Sequence, residues 1–297
     1  MSPVKAAILG LIAVFVAFQF GGGVIAVLVF GFDITNANMN LLRLLTIGTQ
    51  VLFILFPAIL LSKLVFEDVT EIVRLKMPKP KEVGLLALGM VILIPLLQDY
   101  LHIQNYVIEQ LSKSNSFILG IKNFLDMMDK YVGETYSQLL TANNVFEMLL
   151  IVITVSITPA ICEEFFFRGF VQRSFEFKLK SFWAILITSI FFGLYHFNPY
   201  GLLPLIGIGF YLGYAVYKSD SIVTSIILHF INNFVAIIAF FVFGEEELMQ
   251  SNFVDVENID SHLISFALLL ALFVGFVIFI NKNYFKLTKT EVQNDLP

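Results

Sequence analysis

Cysteine is almost missing from this chain: Cys162 stands alone in 297 residues. An internal disulfide is excluded, and so is any cysteine-rich zinc or iron–sulfur site. Charge is scarce as well. Asp, Glu, Lys and Arg make up 14% of the residues, against roughly 25% in a soluble domain. Their balance of −5 argues against a nucleic acid partner. No low-complexity tract or short repeat is visible, and the HExxH helix of the common zinc peptidases is absent. What fills the chain is apolar bulk: 58% hydrophobic residues, 33 Phe and a mean hydropathy of +0.86. One soluble core cannot bury that much, whereas a bilayer accepts it at about 20 apolar residues per span.

Eight apolar segments stand out, near 6–31, 43–62, 83–98, 145–167, 183–198, 201–217, 222–243 and 261–281. They predict an all-α integral membrane protein, a bundle of about eight transmembrane helices with the lipid bilayer as its solvent. The first run is too long for a signal-peptide core of roughly 7–15 residues and is read as an uncleaved span. Three regions follow: an N-terminal three-span region over 1–144, a core over 145–243, and 244–297 with an outer loop, a last span and a tail. Within the first, 99–144 has mixed polarity and is expected to form amphipathic helices outside the bilayer. The loop 244–260 is acidic, with Glu245, Glu246, Glu247, Asp255, Glu257 and Asp260. With alternating spans and an inner N-terminus, fourteen Lys and Arg fall inside and four outside. The positive-inside rule then places both termini in the cytoplasm of a multi-pass plasma or inner membrane protein.

Ionisable residues inside spans cost about 2.5–3.5 kcal/mol each on insertion scales and therefore point to function. Here they gather in the second half. The fourth segment ends in ITPAICEEFFFRGF. Arg168 lies four residues after Glu164, the favourable order for a helical ion pair, whereas Glu163 is left without such a partner. A free carboxylate in that setting suits a general base or acid; the alternative is that both Glu sit at headgroup level beside Arg168. The fifth segment holds FFGLYHFNP, with Phe192 and His196 four apart before Asn198-Pro199 breaks the helix. The seventh holds SIILHFINNF, with His229 and Asn233 on one face; such a pair also serves simply to hydrogen-bond helices together. If segments four and five form a hairpin turning near 178–181, Glu163 and His196 come out level. His229 reaches a similar layer, and the site opens toward the lysine-rich end.

Peptide hydrolysis needs an activated water and donors for the oxyanion. A Glu with a His can hold and deprotonate water, and a second His with an Asn can face the developing charge. Glu163, His196 and His229 are alternatively a ligand set for a divalent metal such as Zn²⁺, with one open position. Cys162, buried among apolar residues, is of the inert kind.

Together EEFFFR, FGLYH and HFINN resemble the EExxxR, FxxxH and HxxxN motifs of the CPBP family, the CAAX proteases and bacteriocin-processing enzymes also called Abi. The resemblance covers about residues 145–240. It implies an intramembrane endopeptidase in which Glu163 activates water and His196 assists. His229 and Asn233 then stabilise the oxyanion or help hold a metal, while Glu164, Arg168 and Phe192 complete the motifs structurally. A metal-free glutamate mechanism and a metalloprotease both fit it. The expected substrate is a small peptide or the end of a membrane protein rather than a prenylated tail. A non-proteolytic binding or immunity protein of the same fold and a proton-coupled transporter are the competing readings.

Overall fold

The computed structural model describes residues 1–31, 38–66, 69–243 and 256–288. Most of the acidic loop therefore lies outside the described residues. Among those described, the chain is all helix. We number the helices α1 (Pro3–Phe30), α2 (Met39–Val65), the single-turn α3 (Val69–Val73), α4 (Pro80–Ser114), α5 (Ser116–Leu140), α6 (Val145–Glu176), α7 (Ser181–Tyr195), α8 (Leu202–Ser219), α9 (Ile222–Phe243) and α10 (Ile259–Thr288). Seven of them are long and apolar enough to cross a membrane, and α7 is a shorter apolar helix of 15 residues. The protein is a multi-pass membrane protein of about eight spans.

Local chemistry sets the boundaries. Asn38, Asn115 and Asn144 cap the helices that follow them, each accepting from backbone N–H groups of the first turn. Pro3 and Pro80 sit at helix starts, where the missing N–H costs nothing. Segment 99–144 is made of two helices: its first part continues α4, which runs unbroken through 35 residues to Ser114, and α5 forms most of the rest. Helix α4 is about 52 Å long and overshoots a hydrocarbon core of about 30 Å. Mixed polarity beyond residue 98 marks where this one helix emerges, and no breaker marks an end. Only α5 is a distinct amphipathic helix.

The fourth segment is likewise longer than its apolar run and is not uniform. Two stretches of α6, 152–157 and 165–172, are π-helical. A π-turn leaves backbone carbonyls out of register, and such turns recur at functional sites. Here Asn233 Nδ2 donates to Val155 O at 3.1 Å, and Ser156 Oγ donates to Phe230 O at 2.9 Å, which ties α6 to α9.

Helix α8 brings small residues against α6 and α7. Gly209 and Gly213 expose their carbonyls, which accept from Arg168 Nη2 at 2.9 Å and Gln172 Nε2 at 3.3 Å. Close approach at small residues is a usual way for membrane helices to pack. A Cβ on Gly213 would lie 2.8 Å from both Gln172 Oε1 and Ile185 Cγ2. The glutamine end can swing away, but the branched Ile185 side chain is stiff. Gly213→Ala is expected to destabilise the protein by about 1–3 kcal/mol, read as a lower melting temperature in detergent.

One end of the bundle carries an ion-pair cluster that joins three turns. Arg74 pairs with Glu176 at the end of α6 and with Asp220 at the end of α8, 3.1 Å away, and Lys76 also reaches Asp220 at 2.6 Å. At the other end α5 lies across the bundle. Buried Arg43 on α2 donates to Leu139 O at 3.0 Å and to Thr141 O, holding the C-terminus of α5. Tyr200 donates to Asp126 Oδ1 at 2.6 Å, and its carbonyl accepts from Gln104 Nε2 at 2.9 Å. The α7–α8 turn is thus tied to α4 and α5 through buried Tyr200, although Phe197 in the same turn is exposed.

Candidate active site

Two carboxylates that are neighbours in sequence live in different surroundings. Glu164 is fully buried. Its Oε1 accepts from Arg168 Nη1 at 2.8 Å, the helical pair expected from the spacing, and from His229 Nδ1 at 2.9 Å. Arg168 spends its second nitrogen on Gly209 O, and its guanidinium lies over the Phe192 ring at 4.4 Å. Phe192 also meets His229 edge-on, with centroids 5.8 Å apart. These contacts explain the aromatic of the second motif: Phe192 fills the space between the arginine of the first and the histidine of the third.

Glu163 faces another way. Its Oε2 lies 3.8 Å from His196 Nε2, with side-chain exposures of 13% and 21%. Among the described residues that oxygen has no hydrogen-bond partner. The separation exceeds a hydrogen bond and is the kind that a bridging water spans. Helix α7 ends at Tyr195, so His196 sits just past the helix, earlier than the Asn198-Pro199 break implies. His196 Nδ1 donates to Phe192 O at 2.7 Å. A carbonyl only accepts, so Nδ1 carries a proton, and in the neutral ring Nε2 is then the acceptor that faces Glu163.

The N-terminal half, which carries no motif, holds this end of α7 in place. Gln19 Nε2 donates to Tyr195 O at 2.6 Å, and the Tyr195 hydroxyl donates to Leu11 O. An apolar cavity of about 360 Å³ lies beside the same turn, lined by residues that include Leu11, Phe15, Met128, Leu194, Phe197 and Leu202. Phe197, directly after His196, has φ of 49°. For a bulky side chain that is a strained conformation, of a type that clusters at functional sites.

Two expectations change. Glu163 and His196 come together, but His229 is turned to Glu164, and no group of three His, Cys, Asp or Glu with metal-holding geometry occurs among the described residues. The Glu163, His196 and His229 ligand set is thus not assembled among the described residues. Asn233 spends a donor on Val155 O and its oxygen on Asn232 Nδ2 at 3.1 Å. It braces the π-turn rather than simply facing the site.

Comparison with known proteins agrees with the motifs. Residues 145–235 match the family described as Rce1-like, type II CAAX prenyl endopeptidase Rce1-like. No curated protein and no solved structure matches.

Proposed function

From a CAAX-protease-like segment of the CPBP kind, embedded in a membrane bundle, we propose that this protein is an intramembrane endopeptidase using a Glu163-activated water. The observation that carries the reading is the Glu163–His196 pair. Two acceptors, Glu163 Oε2 and His196 Nε2, face each other across a gap suited to one water. A water that donates to both turns its lone pairs outward to a scissile carbonyl, and Glu163 takes its proton as general base. As the amide breaks, the proton passes to the leaving amine. The carbonyl oxygen gains negative charge in the transition state and needs donors placed in advance. His229 supplies one when protonated: Glu164 holds Nδ1–H and supports the imidazolium, and Nε2–H is free to donate. Arg168 and Phe192 position this pair. The apolar cavity beside the His196 turn favours a substrate with a large apolar side chain near the cut, from a small peptide or the end of a membrane protein in the plasma or inner membrane.

The test compares peptides in membranes holding the wild-type protein with those holding Glu163→Gln. Fragments present only with wild type identify the substrate and the cleavage site. Identical peptide sets would refute the peptidase reading and favour a non-proteolytic binding protein.

A further inference from the structure

Between Lys5 and Asp33 the only polar side chain is Gln19, in the middle of the first span. A polar group at that depth is expensive and calls for a partner on another helix. Its partner is the carbonyl of Tyr195, the residue before His196, at 2.6 Å. The end of α7 explains the need. The last four carbonyls of a helix find no partner within it. In α7, Phe192 O accepts from the His196 imidazole Nδ1, Gly193 O from His196 N at 3.2 Å, and Leu194 O from Phe197 N at 3.4 Å. Tyr195 O remains. A continuing helix would serve it with the N–H four residues on, but that residue is Pro199, which has none. Gln19 supplies the missing donor from 176 positions away. Two more residues of α1 grip the same place. Leu11 O accepts from the Tyr195 hydroxyl, and the Phe15 ring lies edge-on to Tyr195 at 5.1 Å and stacked on Phe197 at 5.6 Å. Leu11, Phe15 and Gln19 follow one another at steps of four, on one face of α1, and hold the residues on both sides of His196.

We propose that Gln19 is a positioning residue for the reaction, holding His196 where it shares a water with Glu163. The proposal rests on the peptidase reading above and extends the site into α1, outside the matched residues 145–235. Its effect runs through one peptide unit. The C=O of Tyr195 and the N–H of His196 lie in the same plane. Gly193 O fixes the N–H edge of that plane, and Gln19 fixes the C=O edge. Held on both edges, the plane cannot rotate, and it sets the direction in which the His196 side chain leaves the backbone. The imidazole then has one further tie, Nδ1 to Phe192 O, which leaves Nε2 at 3.8 Å from Glu163 Oε2. Without the amide, Tyr195 O loses its donor in an apolar setting. A buried carbonyl in that state turns toward whatever donor it can reach, and His196 turns with it. A shift of about 1 Å is enough to spoil a shared water, because a misplacement of that size costs about 10²-fold in rate. Gln19 acts through His196 alone.

Two measurements test this. In the first, the full-length protein carrying nitrogen-15 histidine is studied in lipid bilayers by solid-state NMR, at a pH where imidazole is neutral. The chain has 4 histidines, so the His196 signals are assigned by their absence in His196→Ala. Wild type should show His196 protonated at Nδ1 and bare at Nε2. In Gln19→Leu the same signals should shift or divide between the two tautomers. His196 signals that Gln19→Leu leaves unchanged would overturn the proposal and leave the peptidase reading standing. In the second, Gln19→Leu is assayed on a quenched fluorescent peptide spanning the cleavage site found in the membrane comparison. We expect kcat to fall about 10–10²-fold, with KM within about twofold and the melting temperature little changed. Gln19→Met, unbranched and of similar length, also lacks the donor and should lose as much, which separates the hydrogen bond from packing. Full kcat in both variants with no activity in Glu163→Gln would overturn the role of Gln19 alone, and so would a raised KM at unchanged kcat. Full activity in Glu163→Gln, or no cleavage site in the membrane comparison, would overturn the peptidase reading and the positioning role with it.

Discussion

Purified Glu163→Gln protein is expected to cleave its peptide about 10²–10⁴-fold more slowly than wild type, with an unchanged melting temperature. The two halves of that result have separate causes. Glutamine keeps the shape of the side chain but cannot take a proton from water, so the chemical step fails. Stability is spared because Glu163 Oε2 holds no hydrogen bond among the described residues and its side chain is partly exposed. His196→Ala should cost about as much, since it removes the second acceptor that orients the water. The double variant Glu163→Gln/His196→Ala should be little worse than either single one, because groups that act as a unit do not contribute additively. Losses that multiplied in the double variant would mean that the two residues act in separate steps, and the shared-water arrangement would be wrong.

The sequence already separated the two carboxylates, through one physical fact: a Glu four residues before an Arg on a helix finds a partner, and its neighbour does not. Glu164 and Arg168 meet as that spacing requires. Hairpin symmetry also levelled Glu163 with His196, and the two do meet, despite the π-helical stretch 165–172 between Glu163 and the turn. Counting failed where the backbone departs from the α-helix. The π-turn at 152–157 frees Val155 O, and a sequence does not show that Asn233 is committed to it. The bond from His229 to Glu164 was hidden for another reason. It depends on how far α9 is rotated about its axis, which packing against Phe192 and α6 decides. Supports from the first half were the hardest to find. Gln19 was legible as a polar residue inside an apolar span, but its acceptor, Tyr195 O, lies 176 positions away.

Glu164 should behave in the opposite way to Glu163, and the contrast is the sharpest test of the site's construction. Glu164→Ala removes the only described partner of Arg168 with a full negative charge, while the guanidinium stays sealed between Phe192 and Gly209. Breaking one side of a buried ion pair costs about 3–5 kcal/mol, a large share of the 5–15 kcal/mol that typically holds a folded protein together. The variant should melt far below wild type in detergent or fail to accumulate. Glu164→Gln, which keeps an acceptor for Arg168 and His229, should fall between. The decisive variant changes both partners. In Glu164→Leu/Arg168→Met the charges leave together, so the double should be much less destabilised than the two single changes predict in sum, a coupling that a double-mutant cycle measures. If this folded double variant still cannot cleave, Glu164 matters to the chemistry because it holds His229 Nδ1, and removing the charge on Arg168 does not replace that contact. If it cleaves at the wild-type rate, His229 needs no partner and the oxyanion role assigned to it fails.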